Sequence, residues 1–165
     1  MLTPCTDPRQ IRDTFSGFPS GLAALAAVVD DVPTVLVASS FTVGVSQDPP
    51  LVLFAVQRSS TTWPVLATAP AIGVSVLGAV HAGTARRLAG PDKSRRFDGV
   101  PTRVEPSGAV FLDGAPVLLE CSTEHVYPAG DHEIVVLRVH GWETDFTQDA
   151  LVWHRSRLTP LAQAS

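Results

Sequence analysis

The chain has 165 residues, of which 45% are hydrophobic and 17% charged, and its net charge is -4 with a pI of about 5.6. This length provides one sizeable hydrophobic core rather than two, so we expect a single domain spanning residues 1–165. The acidic balance and the absence of a Lys/Arg block exclude a protein that tracks a nucleic-acid backbone.

The sequence also lacks the usual signals for export and for metal binding. The N-terminus has no apolar region typical of a signal peptide, and no apolar run reaches the roughly eighteen residues of a membrane helix. We therefore expect a cytoplasmic protein with no membrane partner. Cys5 and Cys121 stand far apart and without CxxC or His spacing, which predicts two free thiols and no metal site.

The N-terminal segment carries the pattern of a short helix. Asp7 followed by Pro8 is typical of an N-cap with proline in the first turn. Ile11 and Phe15 fall on one helical stripe, so we predict a helix that ends near Ser16.

The next segments predict strands. Residues 22–29 are small and apolar, 30–33 form a turn and 34–38 are mostly β-branched, which favours a hairpin, although the Ala-rich first half is also compatible with a helix. Residues 39–50 are predicted to be a polar loop. The apolar run at 51–56 has the length of a buried strand.

The middle of the chain alternates between helical and strand patterns. Residues 61–68 predict a helix of about eight residues, in which Pro64 is tolerated in the first turn. Residues 72–77 predict a further strand. Residues 81–89 predict another short helix that ends at Gly90.

The last third has the clearest periodicity. Residues 117–127 and 133–143 alternate with period two around a turn at 128–131, which predicts a long antiparallel hairpin, and 151–154 predict a closing strand. The predicted fold class is thus mainly β with short helices and about six or seven antiparallel strands. Closure of these strands into a barrel would protect the edges of the sheet.

Two segments have residue types suited to ligand binding. Ser59, Ser60, Thr61 and Thr62 lie at the N-terminus of a predicted helix, where amide groups and the helix dipole favour a phosphate, although a serine N-cap without a ligand has the same pattern. Residues 38–41 follow a buried strand, and small residues there allow backbone amides to reach the edge of a planar heteroaromatic ring. A plain turn is the alternative.

Single side chains offer weaker indications. His132 lies at the predicted hairpin turn and can donate a hydrogen bond to a ligand, or it can simply be solvated. Basic side chains that could pair with a phosphate, or could simply be solvated at the surface, are Arg86, Arg87, Lys93, Arg95 and Arg96. Aromatic side chains that could stack on a ligand, or could fill the core or an interface, are Trp63, Trp142 and Trp153. The sequence contains no hydrolase, zinc or glycine-rich dinucleotide motif.

Taken in order, these segments resemble the flavin reductase-like family, the short-chain NAD(P)H:flavin oxidoreductases that serve as reductase components of two-component monooxygenases. The resemblance covers about residues 15–161. It is carried by Phe18-Pro19-Ser20-Gly21, Ser39-Ser40-Phe41, Val45-Ser46-Gln47-Asp48-Pro49-Pro50-Leu51-Val52, Ser59-Ser60-Thr61-Thr62, Val74-Ser75-Val76-Leu77, Arg96-Phe97-Asp98-Gly99-Val100, Leu119-Glu120-Cys121, Gly130-Asp131-His132-Glu133-Ile134 and Trp153-His154-Arg155.

The resemblance implies an FMN-binding split β-barrel of Greek-key type, a homodimer, and FMN or FAD at the subunit junction. It also implies NADH or NADPH as hydride donor and a flavin-dependent monooxygenase as partner. The backbone of residues 39–41 would contact the flavin ring, residues 59–61 would contact the phosphate, and His132 would be the catalytic residue near the nicotinamide. The remaining expected cofactor contacts are Ala38, Val56, Ser75, His81, Arg96, Phe97 and Trp153.

Three positions differ from the common family pattern. Ser75 stands where Asn is common, His81 where Gln is frequent, and Val37 where Thr is frequent. Two alternatives to a reductase stay open, namely a flavin carrier of the same fold and a dimeric interaction domain that binds no flavin.

Overall fold

The computed structural model describes residue 2 and residues 4–161. These residues form three short α-helices and twelve β-strands. The helices are α1 (Pro8–Ser16), α2 (Trp63–Leu66) and α3 (Ala85–Leu88). The strands are β1 (Ser20–Gly21), β2 (Ala23–Val29), β3 (Val32–Ala38), β4 (Thr42–Gln47), β5 (Pro50–Gln57), β6 (Ile72–Val76), β7 (Thr102–Val104), β8 (Val110–Leu112), β9 (Val117–Ala129), β10 (His132–Thr144), β11 (Ala150–His154) and β12 (Arg157–Leu161).

Seven strands form the main antiparallel sheet, in the order β3-β2-β6-β9-β10-β5-β4. Strands β2 and β5 are separated by three others, yet Leu25 and Phe54 belong to the same buried core. The sheet must therefore curve strongly to bring its two ends together. The edge strands β3 and β4 are not paired with each other, so the curved sheet is not closed into a barrel.

The core inside this curved sheet is closed at one end by α2. Its Trp63 packs edge-on against Phe54, with ring centroids 5.2 Å apart and planes at 83°, and Leu66 beside it is fully buried. A further cluster of buried apolar side chains lies on the outer face of β2, against α3, β8 and β11, and it shares this strand with the core. Strand β2 is covered by apolar side chains on both faces, which explains why its residues are apolar throughout. It pairs with β3, so the predicted hairpin is confirmed and the helical alternative is wrong.

Several other predictions are confirmed by the structure and some are wrong. Helix α1 begins after its Asp7 N-cap as predicted, and the long β9–β10 hairpin is confirmed. The predicted loop at 39–50 is wrong, because β4 lies within it as an exposed edge strand. The helix expected at 61–68 is only the four residues of α2. The helix expected at 81–89 is split into a 3-10 turn at Ala79–His81 and α3.

Among the residues that the structure describes, no helix is long and apolar enough to cross a membrane. Cys5 is exposed and Cys121 is buried, and both are free thiols. Burial raises the pKa of the Cys121 thiol to about 12, so this thiol stays protonated and unreactive at neutral pH.

His81 is buried, with its imidazole between Gly78 and Asp113, and it is expected to make folding sensitive to acid. Its Nδ1 accepts a hydrogen bond from the Gly78 N–H at 3.0 Å, so its Nε2 carries the proton and donates to the Asp113 carbonyl, also at 3.0 Å. Protonation of Nδ1 would remove the first bond. Burial is the main cause that lowers the pKa of His81 below 6.5.

The unfolded chain therefore binds a proton more readily than the folded one. The contribution of neutral His81 to stability is complete above pH 6.5 and is lost as the pH falls from there through the lower pKa of the folded state. We expect His81→Gln to show a weaker fall in unfolding free energy below pH 6.5 than the unsubstituted chain. Urea unfolding across this pH range measures the difference, with His154→Gln as the exposed control. An identical pH dependence in all three chains would contradict the prediction.

Candidate active site

An open groove of about 810 Å³, here called the main groove, runs across the ends of β3 and β5 and the start of β10. The structure brings most of the predicted site residues to it. They are Ala38, Ser39, Ser40, Val56, Ser59, Ser60, Thr61, Arg96 and His132. Segments far apart in the chain thus line one cavity, because the curvature of the sheet places β3 beside β5.

The hydroxyl of Ser40 is part of the fold. Its Oγ donates to the Ala55 carbonyl and accepts from the Ala55 N–H, both at 2.9 Å. One side chain thereby links the end of β3 to β5, where the two strands are not paired directly. The edge that Ser39 and Ser40 present to the main groove is held in place by this link.

The hydroxyl of Ser60 has a similar structural role. It accepts hydrogen bonds from the amides of Thr62 and Trp63 at 3.3 and 3.1 Å, and thus caps the first turn of α2. The amides of Thr62 and Trp63 are therefore already hydrogen-bonded to Ser60, and a phosphate site at this segment stays a prediction. The exposed Ser59 and Thr61 hydroxyls beside them remain the polar groups of this end of the groove.

Arg96 reaches the same end of the groove from a distant segment. Its Nε donates to the Gly90 carbonyl at 2.8 Å, and its Nη1 donates to the Val35 carbonyl at 2.8 Å and to Thr62 Oγ1 at 2.9 Å. Burial lowers the pKa of Arg96, although an arginine remains charged at neutral pH. In the part of the chain that is described, Nη2 makes no hydrogen bond. A rigidly held cation therefore stands beside Ser59 and Thr61 with one donor nitrogen to spare.

His132 is the first residue of β10 and pairs with Gln57 of β5. Its Nδ1 lies 2.7 Å from Asp131 Oδ1, and the hydrogen bond with His132 is the main cause that lowers the pKa of Asp131. An ionised carboxylate accepts this bond, so Nδ1 carries a proton. The imidazole is half-buried and oriented by its neighbour, which fits a positioning role in the groove.

Five predicted contacts lie outside the main groove. Phe41 and Trp153 line a neighbouring hollow of about 670 Å³ that shares Ser39 and Ser40 with the groove. Phe97 lines another cavity. Ser75 is fully buried and its Oγ accepts from the Leu112 N–H at 3.0 Å, and the buried His81 is engaged as described above. These last two side chains have structural partners in place of the predicted cofactor contacts.

Gln57 and Pro91 line the groove although the sequence did not single them out, and Thr62 belonged to the predicted hydroxyl segment but not to the expected cofactor contacts. Because Thr62 lies in the hydroxyl cluster at residues 59–62, this cluster was the sequence signal that could have identified it as a groove residue. Gln57 lines the groove because it is the strand partner of His132. This pairing depends on the register of β5 and β10, which the sequence does not show. Within the described residues, no group of three or more His, Cys, Asp or Glu side chains could hold a metal ion.

The groups in the main groove can bind and orient a ligand. Hydroxyls and a guanidinium at one end suit a phosphate, and the strand edge at residues 38–40 suits a planar ring, so the chemical fit to a phosphate-bearing heteroaromatic cofactor is good. The fold and the groove together define an antiparallel, split-barrel type of cofactor-binding protein.

Comparison with known proteins specifies the class further. The chain belongs to the family described as flavin reductase like domain, whose model matches residues 15–162. A flavin reductase of Pseudomonas putida is 33% identical over 156 residues, which cover 94% of this chain and 91% of that protein. A protein of Rhodococcus jostii named flavin-dependent monooxygenase, reductase subunit HsaB, is 29% identical over 93% of this chain and 77% of its own length.

A solved structure supports the same assignment. It is the Streptomyces globisporus C-1027 NADH:FAD oxidoreductase SgcE6 in complex with NAD and FAD fragments. It superposes with a TM-score of 0.89 at 31% identity, covering 98% of this chain and 97% of that one. The mainly β fold with short helices, of the split-barrel type, is thus confirmed, while the main sheet itself remains open.

Proposed function

We propose that this chain is an NAD(P)H-dependent flavin reductase that transfers hydride to FMN or FAD and supplies reduced flavin to a partner monooxygenase. One observation supports the proposal: Ser59, Thr61, Arg96, the strand edge at residues 38–40 and His132 all line one cavity, the main groove. The names of relatives, which include a reductase subunit of a monooxygenase and an NADH:FAD oxidoreductase, support both the activity and the type of partner.

The chain's own residues would bind and orient the flavin and the nicotinamide. Ser59, Thr61 and Arg96 would hold the flavin phosphate, and the backbone at Ser39 and Ser40 would face the ring edge. When bound, the flavin accepts hydride from the nicotinamide, which needs close stacking of two rings rather than a strong acid or base. The hydroxyls, amides and imidazole of the groove meet this requirement.

Steady-state oxidation of NADH and NADPH with added FMN, FAD or riboflavin tests the proposal. We expect turnover with at least one nicotinamide and one flavin. Flavin binding without turnover would contradict the activity and indicate a carrier. Absence of flavin binding would contradict the cofactor as well.

A homodimer is part of the proposal. Phe15 and Phe18 are 71% and 76% exposed and line the hollow that shares Ser39 and Ser40 with the main groove. Large apolar side chains exposed together are typical of a protein interface. A second copy seated there would cover them and border the groove. Light scattering after size-exclusion chromatography measures the oligomeric state, and a stable monomer would count against the proposed dimer.

His132→Ala is expected to slow turnover without unfolding the chain. Loss of one oriented hydrogen-bond donor, worth about 1 kcal/mol, corresponds to a fall in kcat of roughly five- to tenfold. Stopped-flow kinetics of flavin reduction measures the effect, and thermal unfolding checks the fold. His125→Ala, an exposed histidine of the same hairpin, is the matched control. Equal rates in the His132 variant and the unsubstituted chain would exclude the role.

A further inference from the structure

A small hollow, here called the distal hollow, lies far from the main groove. It is formed where the β7–β8 hairpin packs beside β9 and β10, and its volume is about 220 Å³. Trp142 lines this hollow and His132 lines the main groove. Both belong to the extended strand β10, near its opposite ends, which corresponds to a separation of about 30 Å. The distal hollow is therefore a separate site.

The floor of the distal hollow is apolar and its rim carries an exposed aromatic ring. Phe111 and Leu118 are buried beneath it. Gly141 leaves space over β10, since a Cβ there would meet nothing within 4 Å. Trp142 is 77% exposed. Because tryptophan is among the residues that contribute most to binding in protein interfaces, this ring marks a contact surface.

The charges around the distal hollow are mostly negative. Glu105, Glu120 and Glu143 line it, together with Arg103. Arg103 pairs with Glu105 and with Glu143, both at 2.8 Å, and its guanidinium lies 5.6 Å from the centroid of the Phe111 ring. Glu120 is half-buried, and its carboxylate has no hydrogen bond or ion pair within the described part of the chain. One carboxylate of the hollow thus remains without a cation.

We propose that the distal hollow is a docking site for an arginine side chain presented by another protein. A planar guanidinium can stack on the Trp142 ring while its N–H groups donate to the Glu120 carboxylate. Arginine combines these two contacts better than lysine does. Arg103 makes the same combination within the chain, with Phe111 and two glutamates as its partners. The incoming arginine would repeat this pattern on the open side of the hollow.

The size of the distal hollow and its charge select this occupant. Small-molecule sites have volumes of roughly 300–1,000 Å³, so a hollow of about 220 Å³ suits one long side chain rather than a whole cofactor. Three carboxylates and one guanidinium leave an excess of negative charge, which favours a basic segment and disfavours an acidic one. The inference does not rest on the proposed function, and a protein held here would leave the main groove open.

NMR titration with a short peptide tests the proposal. The probe is acetyl-Gly-Arg-Gly-amide, and the observed signal is the indole N–H of Trp142, identified by its absence from the spectrum of Trp142→Phe. We expect a saturable shift with a Kd on the order of a few millimolar, since a single side chain supplies the contact. The same peptide with citrulline in place of arginine keeps the shape without the charge, so it should cause no saturable shift.

Removal of the unpaired carboxylate should weaken the binding. Glu120→Gln is expected to raise the Kd for the arginine peptide about three- to fivefold, the change that corresponds to loss of one partly exposed ion pair. Glu133→Gln is the matched control, since Glu133 is also a half-buried glutamate but lies at the other end of β10. This control should leave the Kd unchanged.

The other possible occupants give different results. Absence of a saturable shift with the arginine peptide, or equal Kd values for Glu120→Gln and the unsubstituted chain, would overturn the inference. Tighter binding of free arginine than of the peptide would assign the hollow to a small molecule. A Trp142 signal that moves with the concentration of the chain alone would assign it to a second copy. Either assignment would also overturn the inference. Flavin turnover is measured separately, so failure of the proposed function would leave this inference intact.

Discussion

Gly73→Ala is expected to lower the free energy of unfolding by about 3 kcal/mol, because an added methyl group would have no space. Gly73 lies in β6, inside the main sheet, where it is fully buried and faces the backbone of β8. A Cβ there would lie 2.8 and 2.9 Å from the carbonyl carbon and nitrogen of Val110, and closer still to its oxygen. Relief of this overlap would require β8 to move away from the sheet.

Urea unfolding followed by circular dichroism measures the loss of stability. Gly141→Ala is the matched control, since Gly141 is also a strand glycine but a Cβ there would meet nothing within 4 Å. We expect the control to change stability by less than about 0.5 kcal/mol. Equal effects in the two variants would show that backbone entropy, and not the close approach of β8, decides the result.

Arg96→Met is expected to weaken binding of FMN and FAD by about ten- to a hundredfold, the range for loss of one charge-assisted contact to phosphate. The methionine keeps much of the side-chain volume but removes the guanidinium that stands beside Ser59 and Thr61. Riboflavin lacks the phosphate, so its affinity should change much less. Fluorescence titration with the three flavins measures the difference.

Arg96 also supports the fold through its bonds to Gly90, Val35 and Thr62, so two controls are needed. Arg95→Met removes the neighbouring arginine, which is 70% exposed and paired with Asp98 on the surface. It should leave all three affinities unchanged. If riboflavin binding falls as much as FMN binding in Arg96→Met, then Arg96 acts by holding the groove in shape and the phosphate contact is excluded.

The strands that could be predicted from the sequence are those with a strong local pattern. The apolar runs of β2, β5 and β6 and the alternation of β9 and β10 reflect their own burial, so each segment carries its own signal. Strands β4, β7 and β12 are short and mostly exposed, and pairing with a neighbour rather than side-chain pattern defines them. Their residue types alone resemble loop.

The site was predictable to a similar degree. Residue type singled out the hydroxyl cluster at 59–62, the serines at 39–40 and His132, and the structure gathers all of them at one groove. Residue type could not show that the Ser40 and Ser60 hydroxyls are used internally, nor that Ser75 and His81 are buried beside Leu112 and Gly78.

One physical reason separates the features that the sequence predicts from those that only the folded molecule reveals. Residue order alone specifies local properties, namely which segments can bury apolar faces, where chains turn and which polar groups are present. These were enough to indicate a mainly β fold with two candidate ligand-binding segments, and the family resemblance added the cofactor. Hydrogen-bond partners, strand register and the curvature of the sheet depend on segments that are distant in the chain. The assembled molecule was therefore needed to bring Arg96 to Thr62 and to show which hydroxyls are left for a ligand.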